Sequence, residues 1–220
     1  MEFALSLCLG IGLAAACGFR VFVPMLGMSV ASMAGHLQLS IGFEWIGTPP
    51  AFVCFLAATS LEIVAYYVPW LDNLLDTVAS PAAVVAGTIT MAATLLPTPM
   101  ASEVSPLLRW SLAFIAGGAV AGIIQLSTVT LRGTSTVTTA GLGNFIVSTL
   151  ELILSVVTTI FAITLPVLCL LVVVPVTALL VRRRFVRRRV AVPAAPAPAP
   201  AGKVMIDDET TPLRKAKRPV

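Results

Sequence analysis

Ser60-Leu61-Glu62-Ile63-Val64-Ala65-Tyr66-Tyr67-Val68-Pro69-Trp70-Leu71-Asp72-Asn73-Leu74-Leu75-Asp76 carries one carboxylate inside an apolar run. It stops that run at Pro69-Trp70, then sets Asp72 and Asp76 one helical turn apart ahead of Pro81 and Gly87. A run that apolar, closed by a proline and an aromatic, is the pattern of a helix crossing a bilayer and ending at headgroup level. Composition extends the reading to the whole chain. Of 220 residues, 58% are hydrophobic and 11% charged, too little charge to cover a water-soluble surface.

Working outward, residues 3–35 are apolar except for Arg20, longer than one ordinary span. Gly18 and Pro24 bracket Arg20, which predicts helix 3–17, a break, and helix 21–35, either as two tilted spans or as a re-entrant pair. His36 to Pro50 reads as a loop and 51–68 as a span. Asp72 and Asp76 then lie on a short amphipathic turn. Ser80-Pro81 reads as the N-cap and first residue of a span reaching about Leu96. Residues 107–126 form another span, with Gly117, Gly118 and Gly122 for close helix packing. Eight Ser/Thr crowd 127–139 around Arg132. The apolar stretch 144–181 then holds two spans broken near Pro166, with Pro175 set to kink the second. The expected fold is all-α: a polytopic transmembrane helical bundle of about six spans (five to seven), some of them short or broken.

Charge divides the chain in two. Residues 1–181, the transmembrane helical domain, hold three arginines and no lysine against seven acids, net −4; residues 182–220 are net +8. The basic pI therefore belongs to the tail, and no nucleic acid is expected as a partner. Arg182, Arg183, Arg184, Arg187, Arg188 and Arg189 follow the last span directly. They place that end in the cytoplasm and should attract anionic lipid. The Pro/Ala run 193–201 and the mixed-charge end read as a spacer and a disordered tail. No signal peptide is evident. The four cysteines have no CxxC spacing, and the one histidine sits in a loop, so neither metal nor cofactor is expected.

The candidate site is made of charges placed where charge is costly. A carboxylate within a span costs about 2.5–3.5 kcal/mol on insertion scales and usually faces a partner or a cavity. Glu62 and Glu151 are such carboxylates, with Arg20 and Arg132 as upstream partners and Tyr66 one turn beyond Glu62. Asp72 and Asp76 suit an entrance or cation site, or simply a solvated face. Arg132 among its hydroxyls suits an anion, or merely a polar exit from the membrane. Thr59-Ser60-Leu61-Glu62 echoes Ser148-Thr149-Leu150-Glu151 at a spacing of 89, compatible with two internal repeats. No GxSxG, HExxH, P-loop or Gly-rich dinucleotide turn is present, so an enzyme is not expected.

Gly10-Ile11-Gly12-Leu13-Ala14-Ala15, Gly18, Pro24-Met25-Leu26, Leu61-Glu62, Pro69, Asp72, Asp76, Pro81 and Gly87, followed by Arg132, Ser135, Asn144, Ser148 and Glu151, resemble the bacterial integral-membrane proteins of domain-of-unknown-function family 4126. The resemblance covers about residues 5–160 and implies fold and location rather than activity. The chain departs from the family at Tyr66-Tyr67, where an acidic–basic pair is usual, at 125–130, which lacks histidine or lysine, and at Leu152, in place of an acid.

These features lead to the expectation of a multi-pass protein of the bacterial inner membrane, working as a small transporter or channel-like permease for an ion or small polar solute. Two alternatives stand beside it: a non-transporting scaffold acting through the basic tail, and a handler of phosphorylated lipid. A homo-oligomer is compatible with each.

Overall fold

The computed structural model describes residues 2–95 and 105–190, the side chains of 69, 70, 72, 73 and 184–190 excepted. The tail from 191 onward, including the expected spacer, lies outside these residues.

Seven helices make up the described chain: α1 Glu2–Cys17, α2 Phe22–Met33, α3 Pro49–Ala65, α4 Pro69–Thr94, α5 Pro106–Thr139, α6 Asn144–Thr164 and α7 Pro166–Val190. A single 3₁₀ turn, Glu44–Gly47, precedes α3. Four of the helices begin on proline, whose missing N–H and fixed φ cost nothing at a first helical position. Ser105 caps α5 by accepting from the Leu108 N–H. Four segments are long and apolar enough to cross a membrane: Leu74–Thr94, Pro106–Thr139, Asn144–Thr164 and Pro166–Arg183. The expected six is therefore too many. Helices α1, α2 and α3 have 16, 12 and 17 residues, short of the roughly 20 a bilayer requires.

Two boundaries differ from the sequence reading, for local reasons. Asp72, Asp76 and Pro81 all belong to one helix, α4. Ser80 does not cap a new helix; its hydroxyl donates back to the Asp76 carbonyl at 2.8 Å, and the helix runs on through Pro81. The Ser/Thr-rich stretch likewise continues α5. Ser127, Thr130, Thr134, Thr136, Thr138 and Thr139 each donate to the carbonyl four residues back, so their hydroxyls are satisfied within the helix. Helix α5 ends where Ala140 and Gly141 take left-handed conformations. The breaks at Arg20 and Pro166 lie where the sequence places them.

Packing shows what the Arg20 break does. Ala16 accepts a hydrogen bond from Ser155 of α6 at 3.1 Å, and a Cβ on Gly12 would come within 2.8 Å of Ala162. Beyond the break, Gly27 returns to Thr159. The chain runs down α6 in α1, reverses at Arg20 and climbs back in α2. These contacts make α1 and α2 a hairpin with Arg20 at its tip, a course shared by both forms expected for this segment. Later helices keep alternating. Ser40 bonds the Ala93 and Leu95 carbonyls at one end of the bundle, while Asp76, Arg132 and Glu151 meet at the end where Arg20 turns. Helices α4 and α5 cross at Gly87 and Gly117, where even a methyl group would strike backbone. A π turn, Ala113–Gly118, lies at that crossing. Outward faces carry exposed Leu61, Val64, Ile146 and Leu171, as lipid would favour.

Candidate functional site

Six side chains from five places in the chain converge beside the Arg20 turn. Arg20 enters from the hairpin tip, Glu62 from the end of α3 with Tyr66 just after it, Asp76 from the first turns of α4, Arg132 from the last turns of α5, and Glu151 from α6. All are buried, Arg20 and Arg132 to 1% exposure. The guanidiniums of Arg20 and Arg132 lie over the Tyr66 ring, 3.9 and 4.0 Å from its centroid. Two planar groups that close cannot share one face, so the phenol ring is clamped between them, a double cation–π contact.

The carboxylates divide the remaining work. Arg132 donates to Asp76 Oδ1 at 2.6 Å and is ion-paired to Glu151. Glu151 also faces Arg20 at 3.9 Å, and Arg20 donates to the Ser148 carbonyl at 2.8 Å. Glu62 behaves differently. Its two oxygens accept from the backbone N–H groups of Val21 (2.8 Å) and Phe22 (3.1 Å), capping the start of α2. The expected Arg20–Glu62 partnership is thus replaced by a carboxylate on a helix N-terminus, where both the free N–H groups and the macrodipole favour negative charge. The expected Arg132–Glu151 partnership is present.

Asp76 is not at an entrance but inside this network, 8% exposed. The Asp72 side chain lies outside the described residues. The hydroxyls flanking Arg132 are turned onto their own helix, leaving the guanidinium to carboxylates rather than to an anion site. The two echoing segments are used unlike each other: Glu62 sits near the end of its helix as a cap, Glu151 in the interior of its helix as an ion-pair partner. Arg182 and Arg183 are exposed on α7; the side chains of Arg184, Arg187, Arg188 and Arg189 lie outside the described residues. His36 is an exposed turn residue after α2, as expected.

Two of the polar groups at the site, Ser155 and Thr159, were not singled out from sequence. Asn144, Ser148, Glu151, Ser155 and Thr159 form one buried stripe down α6. Their three- and four-residue spacing is the helical signal that reveals it. Arg20 Nε and Nη1, Thr59 Oγ1, Ser148 Oγ and Gln125 Nε2 are buried without a hydrogen-bond partner among the described residues. The stripe runs from the charge cluster to a cavity of about 720 Å³ between α2 and α6, lined by Thr159, Thr164 and His36. A second crevice, about 510 Å³, lies among α2, α3 and α4 and includes Glu62 and Tyr66 in its wall.

The capping role makes a prediction. Glu62→Leu should cost about 1–3 kcal/mol by orphaning two buried N–H groups, and Glu62→Gln less, since its amide oxygen still accepts. Unfolding titrations in mixed micelles measure both. Equal stability of the Leu and Gln variants would contradict the cap.

A family model described as a domain of unknown function (DUF4126) matches residues 7–185, which carries the likeness into α7. No curated protein and no solved structure matches the chain.

Proposed function

This chain belongs to the DUF4126 family, and on that footing we propose that it is a small membrane permease that exchanges a proton for a cation or cationic polar solute at its buried charge cluster. The observation that carries the reading is the sign of that cluster. Among the described residues it holds three carboxylates, Glu62, Asp76 and Glu151, against two guanidiniums, Arg20 and Arg132. Fully ionised, it sums to −1. The N-terminus of α2 offsets about half a charge. The remainder is negative, and negative charge in a low-dielectric interior is expensive, so the cluster favours uptake of a proton or a cation. Because the two satisfy the same deficit, each displaces the other, which is the elementary step of exchange.

Two features lie beside such a site. The polar stripe of α6 leads from Glu151 toward the cavity at His36, and the crevice beside Glu62 and Tyr66 approaches from another side. By the positive-inside rule the arginine run of α7 puts the Arg20 end of the bundle in the cytoplasm. Glu151 lies thirteen residues from Thr164, about 20 Å along the helix, so the cluster falls in the cytoplasmic half of the bilayer.

Proton release tests the proposal directly. Adding sodium, potassium or tetramethylammonium to purified protein in weak buffer should release up to about one proton per chain for the cation that binds. Glu151→Gln should abolish the release. If none of these cations releases protons from folded wild-type protein, the exchange reading fails and the network is structural.

A further inference from the structure

Helix α7 leaves a gap against α1 and α5. The gap holds about 390 Å³ and is walled by Ile11, Val120, Val173, Val174 and Ala178. Its one hydroxyl, Thr177, is turned onto the Val173 carbonyl at 2.8 Å, so the walls offer an occupant nothing but apolar contact. The gap ends at Arg182. From Val173 to Arg182 the helix rises roughly 13–14 Å, close to the ~15 Å of one leaflet's hydrocarbon. The depth of the groove and the position of the charge therefore match one acyl chain with its headgroup.

We infer that this groove is a binding site for a single anionic glycerophospholipid, with one acyl chain against Val120, Val174 and Ala178 and its phosphate at Arg182 and Arg183. Charge decides between lipid classes. Arg182 and Arg183 are exposed, and no salt bridge engages either among the described residues. Helix α7 continues unbroken to Val190, so it presents both at the end of the apolar wall instead of releasing them into a free tail. A guanidinium pair at that level suits phosphate oxygens, which it can grip bidentately. The site is independent of the exchange reading, since it shares no residue with the charge cluster. Its effect on the fold would be to tie α7 to α1 and α5.

Native mass spectrometry of the delipidated full chain, titrated with phosphatidylglycerol and with phosphatidylcholine, tests the assignment. One phosphatidylglycerol should be retained per chain, preferred over phosphatidylcholine by about fivefold per arginine. Arg182→Gln with Arg183→Gln should remove the preference while the remaining basic tail is intact. Ala178→Trp, which fills the groove from an exposed position, should remove retention altogether; Val174→Phe serves the same purpose if that variant fails to accumulate. Undiminished phosphatidylglycerol retention in a folded groove-filling variant would mean that the tail merely gathers anionic lipid, and would overturn the site. Equal retention of both lipids by the wild type would overturn it too, as would a lipid-free dimer in which a second copy covers the groove.

Discussion

Arg132→Met is expected to be the most damaging single substitution in this chain, costing about 3–5 kcal/mol and lowering the amount of folded protein recovered from membranes. Arg132 is 1% exposed and is bound to two carboxylates at once, Asp76 and Glu151, while covering one face of Tyr66. Methionine keeps most of the volume but removes the guanidinium that joins two buried acids, and breaking a buried pair from one side costs far more than deleting both partners. This asymmetry supplies the test. Adding Asp76→Asn and Glu151→Gln to Arg132→Met should recover much of the loss, because the neutral groups no longer need a counter-ion. Unfolding midpoints in mixed micelles for the single and triple variants measure the recovery. A triple variant as unstable as Arg132→Met alone would show that packing against Tyr66, not charge, is what Arg132 supplies.

Glu151→Leu should come second, at about 3 kcal/mol or more. Glu151 is the carboxylate nearest Arg20, since Glu62 is occupied by the backbone of Val21 and Phe22. Leucine would strand Arg20 at 1% exposure. Glu151→Gln should fold much better, because its oxygen still accepts from a guanidinium, yet it brings the cluster to neutrality. The two substitutions therefore separate stability from exchange. Stability is read from unfolding, exchange from cation-induced proton release. A Gln variant that folds and still releases protons would remove Glu151 from the exchanging group.

What could be read from the chain beforehand was set by local chemistry. Gly18 and Pro24 around Arg20, and Pro166 within 144–181, break helices through their own backbone properties, so both breaks were legible. The course of α4 and α5 was not, because Ser80 and the 127–139 hydroxyls can either cap a helix or bond back into one, and sequence alone does not choose. The same holds for the charges. Arg132 and Glu151 sit on neighbouring helices in an antiparallel pair, so their partnership was within reach. Glu62 found its partners in main-chain N–H groups some 40 residues earlier, which no residue identity announces. Asp76 resembled a surface acid one turn from Asp72 until α4 proved continuous and turned it inward.

The Arg20 hairpin has a consequence for how the protein is made. Its tip arginine bonds the carbonyl of Ser148, 128 residues later in the chain. At about 5–20 residues per second, a ribosome needs roughly 6–25 s to supply that partner. During that interval the Arg20 cation at the hairpin's apex can find Tyr66, 46 residues on, but neither Ser148 nor Glu151. The first segment to leave the ribosome therefore completes its contacts only when α6 arrives.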